Sequence, residues 1–483
     1  MDEKKTAEKM KIGYLLADFR DADVAFFRGQ LLTQYDRRAF ALYCYVYGER
    51  MEIFRPWQDG ESRWLHIAAL DADLAAQAIR RDGPDILVDL SGCRTERAAE
   101  ILARRPAKLQ VGFVGAFSSY RLKSVAYLLT DKYCDPPDQK ERYFTEQLYW
   151  LPQTHFCYAP PQADDKAARG ARRKSDGVTF GSFHHFTQLS DAFLALWGNI
   201  LQALPTARLV LESRIFGSGY GCQETRYRLR RLGFPVERVS LRAPGANLAR
   251  YGDVDILLDT YPRQAAQHIC DVLYMGTVPV ALAGKRHHLR LSYALLKNAG
   301  LEECVAFDEA SYVQRAIALA SNPYRLRQLQ KNLRQRLLKS PLADARRFVG
   351  NVERAYREMQ RMQQEEARLP RVRAEVFSLL ESAEEGLLYI AARLDAAQDS
   401  AMVGRIVGDL QQAFRRLAAL PGRAPQLAAC RLPAAELLDG AADLRRFYAR
   451  REYGRACAVV EQTLLPRVRA LALRLQDDTA EKQ

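Results

Sequence analysis

The chain has 483 residues, of which 48% are hydrophobic and 27% charged. That is enough for two α/β domains with material left over, and it excludes a disordered chain. The formal charge of +14 invites a nucleic-acid reading, but the arginines are spread along helices such as RYRLRRLGF (226–234) and RLRQLQKNLRQRLLKS (325–340), not gathered in one block with interleaved aromatics. Solvated helix faces account for them, and the excess charge suits an anionic nucleotide or an acidic protein surface equally well.

Nine cysteines, Cys44, Cys93, Cys134, Cys157, Cys222, Cys270, Cys304, Cys430 and Cys457, are scattered with no Cys-x-x-Cys and no His/Cys spacing suited to zinc. They read as reduced, mostly buried thiols, and no metal centre is expected. The charged N-terminus MDEKKTAEKMKIGYLL has no apolar run fit for a signal peptide or a membrane span, so a cytoplasmic location is expected.

In chain order, short apolar runs at 11–16, 41–48, 85–92, 109–115, 127–131 and 148–152 are separated by helix-like segments such as DADLAAQAIRRDG (71–83). This suits parallel strands with crossover helices, a Rossmann-like domain over residues 10–158. The segment 159–176 is rich in Pro, Gly and charge and reads as a linker. Alternation restarts with VTFGSF (178–183), a helix over 192–204, and runs at 207–213, 236–242, 254–259, 278–284 and 303–307, a second Rossmann-like domain over 177–340. Residues 341–368 predict one long amphipathic helix. From Pro370 to residue 483 only helical patterning remains, with apolar positions Leu379, Leu380, Leu387, Leu388 and Ile390 and a break at 420–422. No helical repeat of 34 residues is present. The fold class expected is α/β, two Rossmann-like domains facing across a crevice, with an all-helical extension.

Such sheets bind ligands at the carboxyl ends of their strands. VDILLD (254–259) delivers the chain to Thr260, Tyr261 and Pro262, and a helix is expected to begin near His268, aiming its free amides and positive end into the crevice. Asp271, placed in the first turn of that helix, can accept two ribose hydroxyls, or can simply pair with the helix N-terminus. Five of the seven histidines, His184, His185, His268, His287 and His288, fall in loops or helix starts of the second domain. With Arg263, Lys285, Arg286 and Arg290 they suit an anion site, although surface loops often carry histidines. Asp21 and Asp23 suit a base for an acceptor hydroxyl if buried, or a solvated turn.

The segments KIGYLLADFRDADVAFF (11–27), 84–115, the DPP and YWLP region, 178–201, LARYGDVDILLDTYP (248–262), 270–301 and 340–359 together resemble, in order, the catalytic region of glycosyltransferase family 41, the O-GlcNAc transferase and SPINDLY-like protein glycosyltransferases. The resemblance spans about residues 11–358. It implies a GT-B fold and an inverting, metal-independent transfer of GlcNAc or another hexose from a nucleotide sugar, of the UDP-linked kind, to a protein acceptor. It implies no further cofactor. Asp271, Arg286, His287 and Arg290 match family positions. Elsewhere the motif changes: Ala265, Ala266, Gln267, His268 and Ile269 replace a Gly-Thr-Thr-Thr type loop, Gln188 stands where the family has a lysine meeting the diphosphate, and Ala22 and Asp23 replace a His-Pro pair. Glutamine donates a hydrogen bond but does not neutralise a leaving group's charge. A silent, partner-binding subunit of a glycosylation complex therefore stands as the alternative, and the C-terminal helices are expected to dock a partner or acceptor.

Overall fold

The computed structural model describes residues 8–17, 29–58, 60–92, 96–116, 118–139, 143–160, 177–245, 248–264, 266–395, 401–419 and 431–480. Asp21, Ala22, Asp23, Ala265, the linker residues 161–176 and the expected break at 420–422 lie outside the described residues. The chain divides into two compact units, residues 1–360 and 361–483.

The first unit holds two parallel sheets. The first comprises β1 (Met10–Leu16), β2 (Phe40–Val46), β3 (Arg63–His66), β4 (Ile86–Asp89), β5 (Leu109–Gly112), β6 (Tyr127–Asp131) and β7 (Gln147–Leu151), in the order β3-β2-β1-β4-β5-β6-β7. The second comprises β8 (Thr179–Ser182), β9 (Arg208–Glu212), β10 (Val239–Arg242), β11 (Ile256–Leu258), β12 (Val278–Leu282) and β13 (Val305–Ala306), in the order β10-β9-β8-β11-β12-β13. Central strands such as ILVD, LQVG and VPVAL are buried along their whole length. Helices cover both faces of such sheets, so the strands read as unbroken apolar runs. The expected runs all form strands. β3 adds one that the sequence does not announce: its RWLH alternates with no apolar face and lies at the sheet edge, half-exposed.

Local signals set the crossover helices. In Ala72–Asp82, Asp71 Oδ1 accepts from the Leu74 amide at 2.8 Å, and Gly83 ends the helix at φ 65°. Such an N-cap stabilises by about 1 kcal/mol, and a left-handed terminator suits glycine.

Strand order reverses between β1 and β4 in the first sheet and between β8 and β11 in the second. These switch points splay adjacent loops apart at the carboxyl ends and open the crevices in which doubly wound sheets bind ligands. The carboxyl-end loops of the two sheets touch each other: the residues after β6 meet those after β12 through His287 and Asp135 and through Arg290 and the Tyr133 carbonyl.

The helix Ala345–Asp395 has 51 residues and contains Pro370. It thus overruns the sequence boundary expected before Pro370. Proline denies one hydrogen bond to the carbonyl four residues earlier, that of exposed Glu366, and the helix continues through it. Within the first unit its opening turns return to the first sheet. The Phe348 ring stacks on Phe113 at 6.2 Å, and the Tyr356 and Tyr14 hydroxyls meet at 3.3 Å in the interior.

The second unit contains the remainder of that helix with Ala401–Ala419, Arg431–Ala449, Tyr453–Val459, a π turn at Val460–Leu464 and Leu465–Ala480. Its own apolar core includes Leu380, Leu387, Ile390, Val407, Phe414, Leu437 and Leu464. Leu379 packs at the edge of that core and Leu388 is exposed. Most of the stripe that suggested a docking face is therefore spent on internal packing. No helix of the described residues is long and apolar enough to cross a membrane.

Candidate active site

At the switch point of the second sheet, β8 runs into Phe183, His184 and His185 and a short 3-10 turn Phe186–Gln188. Ser190 then caps the helix Asp191–Ala203 through the Phe193 amide at 3.2 Å. Gln188 and His185 are exposed and His184 is half-buried. The two histidine rings lie 5.7 Å apart, edge to face.

Beside it, β11 leads to Asp259, Thr260 and a cis Tyr261-Pro262 bond. The Thr260 hydroxyl donates to the Arg263 carbonyl and folds the turn. Buried Gln264 donates to the Leu282 carbonyl at 2.7 Å and accepts from the Ser292 amide at 3.0 Å, so the turn is pinned to the next strand and helix. Arg263 is exposed.

The helix that follows is Ala266–Met275, and no acid lies in its first turn. Beginning two residues earlier than expected, it puts Asp271 in the second turn, where the dipole falls off. Asp271 is 2% exposed. Its Oδ1 accepts from the Tyr158 hydroxyl at 3.0 Å and its Oδ2 faces the Tyr251 hydroxyl at 3.5 Å. Burial, reinforced by the negative charge of Asp271, holds both phenols well above their ordinary range, so they remain donors. A carboxylate offers about four acceptor positions, and the Tyr158 hydroxyl takes one of them.

His268, one turn before Asp271, accepts from Tyr251 at Nδ1, 2.7 Å away, and is also bonded to the backbone of Phe183. Burial of its ring, with the positive charges of Arg250, His184 and His185, brings its pKa down to about 3. At neutral pH His268 is therefore an uncharged hydrogen-bonding group and supplies no positive charge.

The positive charge beside it comes from Arg250, which no motif or spacing announces. Its Nη2 reaches the Tyr251 hydroxyl at 2.6 Å and its Nη1 pairs with Glu212 at 3.1 Å. Glu212 also binds Arg242 Nε at 3.0 Å. Both guanidinium groups lie over the Phe183 ring, at 5.5 and 5.8 Å. Burial raises the Glu212 pKa even against these two arginines.

The remaining cations lie after β12. Arg286 is exposed and stands over the Tyr143 ring at 5.3 Å. Arg290 donates to the Tyr133 carbonyl at 2.7 Å and the Gly284 carbonyl at 3.1 Å. His287 is buried with Nδ1 2.6 Å from Asp135 Oδ2. The sequence cluster thus separates into two places. His184, His185, Gln188, Arg263, His268 and Asp271 surround the switch point, whereas His287 and Arg290 bind the first sheet's loops.

This arrangement has relatives. The family model described as glycosyl transferase family 41 matches residues 1–162 and 168–352. A protein of Solanum lycopersicum named probable UDP-N-acetylglucosamine–peptide N-acetylglucosaminyltransferase SPINDLY is 31% identical over 374 residues, 74% of this chain and 40% of that protein. Its Arabidopsis thaliana namesake is 32% identical over 373 residues, with the same coverage. The chain therefore spans about 40% of the length of these relatives. Among solved structures, a mutant O-GlcNAc transferase of Thermobaculum terrenum superposes with a TM-score of 0.69 at 30% identity, over 74% of this chain and 69% of that one. A glycosyltransferase of Rickettsia africae, 11% identical with a TM-score of 0.50, shares the fold alone. Two parallel Rossmann-like sheets joined at their carboxyl ends, and a family match running through both, make this chain a member of glycosyltransferase family 41 with the GT-B fold.

Proposed function

We propose that the chain transfers a sugar, GlcNAc or another hexose, from a UDP-linked nucleotide sugar to a protein acceptor, with inversion and without a metal at the diphosphate. The observation that carries the reading is Asp271: a buried carboxylate bonded by the Tyr158 hydroxyl, with Tyr251 beside it, at the switch point of the second sheet. Relatives named for UDP-N-acetylglucosamine and peptide acceptors support the substrate class.

In the proposed step the acceptor hydroxyl oxygen bonds to the sugar's anomeric carbon from the face opposite the leaving group. The carbon–oxygen bond to the diphosphate breaks and its electron pair leaves with the nucleoside diphosphate. The acceptor's proton passes to a base, for which Asp21 or Asp23 is proposed. Asp271 takes the ribose hydroxyls, and neutral His268, bonded to Tyr251 and to the Phe183 backbone, positions the Tyr251 hydroxyl beside it. Gln188 donates its amide to the diphosphate, Arg263 supplies what charge is offered there, and His184 and His185 are further hydrogen-bonding groups. Positive charge aimed at the leaving group often lowers the barrier more than any other interaction in such catalysis, and here it is thin.

That thinness favours a second reading, a silent subunit that binds a partner: Gln188 is neutral, His268 is held neutral, and Arg290 is bonded to two carbonyls. One experiment separates the two. The protein is incubated with UDP-GlcNAc and other UDP-hexoses and a cytoplasmic protein extract of the source cells, and transfer is read by intact-protein mass alongside thermal stabilisation. A nucleotide sugar at 100 times its dissociation constant stabilises by about 2.7 kcal/mol. Stabilisation with transfer supports the enzyme; neither effect with any donor refutes it and leaves the partner-binding role.

A further inference from the structure

We propose that Cys134, His155 and His287 form a zinc site that ties the loops after β6 and β7 to the loop after β12. The Cys134 sulfur and one nitrogen of each histidine lie within 4.8 Å of one another, and all three residues are buried, at 0, 1 and 3% exposure. Zinc binds such ligands at about 2.0–2.3 Å, which sets tetrahedral donors roughly 3.3–3.8 Å apart. A closing movement of about 1 Å completes the set.

The surroundings are those of a metal centre. His155 Nδ1 lies 2.7 Å from Asp131 Oδ2 and His287 Nδ1 lies 2.6 Å from Asp135 Oδ2. When a carboxylate accepts a hydrogen bond from Nδ1–H it fixes the tautomer and turns Nε2 to the metal. His155 Nε2 is buried and has no hydrogen-bond partner among the described residues, an expensive arrangement unless something meets it. The acids also set the ligands in place. Asp131 accepts from the Cys134 amide at 3.0 Å and from the His155 amide at 3.1 Å, so one carboxylate orients both ligands of the first sheet. The Thr130 hydroxyl donates to Asp135.

One thiolate and two imidazoles form a borderline-soft set suited to zinc and unsuited to calcium or magnesium, which require oxygen donors. Three protein ligands leave a fourth position for water. On binding, Zn–S and two Zn–N bonds form, the thiol proton and any proton on Nε2 pass to solvent, and nothing is oxidised or reduced. The ligands are 21 and 132 residues apart, counted from 134 to 155 and from 155 to 287, which is why no local spacing announces them. The site is independent of sugar transfer, and its role is to join the two sheets' loops.

The test uses untagged full-length protein, expressed with added zinc and dialysed. About one zinc per chain by elemental analysis is expected, falling at least fivefold in Cys134→Ser. Cobalt(II) in place of zinc should give a sulfur-to-cobalt charge-transfer band in wild type that Cys134→Ser abolishes. Should that variant fail to fold, His155→Phe, an apolar ring of similar size, should lose metal and alter the band while far-ultraviolet circular dichroism is kept. Zinc below about 0.1 per chain with no cobalt band would overturn the proposal. So would full metal content in either variant, or copper bound at this stoichiometry in place of zinc.

Discussion

The hydroxyl of Tyr158, which follows the first sheet, donates across 3.0 Å to Asp271, beside the second sheet. The candidate ribose-binding carboxylate is therefore fixed by a residue 113 positions earlier in the chain, and two effects of mutating it can be separated. Tyr158→Phe deletes one donor to a buried carboxylate and should cost about 1–2 kcal/mol of stability in chemical denaturation. Nucleotide affinity, measured by calorimetry on the folded variant, should change less.

Asp271→Ala should weaken UDP binding by about 1–3 kcal/mol, the scale of hydrogen bonds to a charged group. Calorimetry with UDP on a variant whose circular dichroism is intact is the check. An unchanged dissociation constant removes Asp271 from the site.

His268 predicts an acid-side loss of stability. Its folded pKa of about 3 lies below the unfolded value of about 6.5. Between these the unfolded chain holds a proton that the folded chain refuses, so stability is flat above pH 6.5 and falls as pH drops toward 3. From pH 6.5 to pH 4 the loss from this group is at most about 3 kcal/mol, at 1.36 kcal/mol per unit. Urea titrations of wild type and His268→Gln over that range should diverge, the variant falling less steeply. Parallel curves would show that the ring charges without penalty.

Gln188→Lys places a cation on an exposed 3-10 turn that tolerates it. If only this charge is missing at the diphosphate, transfer or donor hydrolysis should rise at least tenfold, about 1.4 kcal/mol of barrier. A fall would mean that His184, His185 or Arg263 already meets the phosphate and now competes. Intact-protein mass across pH 6 to 8 reads either sign, and silence of both proteins points to partner binding.

In the second unit, Leu387→Ala opens a cavity among fully buried neighbours and should cost about 2–5 kcal/mol. Because the unit has its own core, a chain ended at about residue 368 should remain soluble and still bind UDP, as thermal stabilisation would report. Precipitation of that shorter chain would show that the helices beyond it are needed for solubility.

Much of the fold was legible because both sheets are buried on both faces, which writes each strand as an apolar run. β3 was not, since an edge strand of Arg63, Trp64, Leu65 and His66 has no such run. Pro370 misled because proline disfavours a helix interior without always ending it, and here the helix runs on through it. At the site, the motif located Asp271 and the changed residues around it. Spacing could not locate Tyr158, Tyr251 and Arg250, which reach His268 and Asp271 only through the tertiary fold. Nor could it reveal that His287 and Arg290 are drawn away from the other histidines by the first sheet's loops.

The return of residues 345–360 to the first sheet also sets an order in time. The strands of that sheet are all made by Leu151, yet the hydroxyl of Tyr14 meets its partner, and Phe113 its stacked neighbour, only when Tyr356 and Phe348 emerge. At about 5–20 residues per second a ribosome needs some tens of seconds to deliver them. During that interval the nascent first half carries an uncovered apolar face, which gives a chaperone something to hold until the second half is complete.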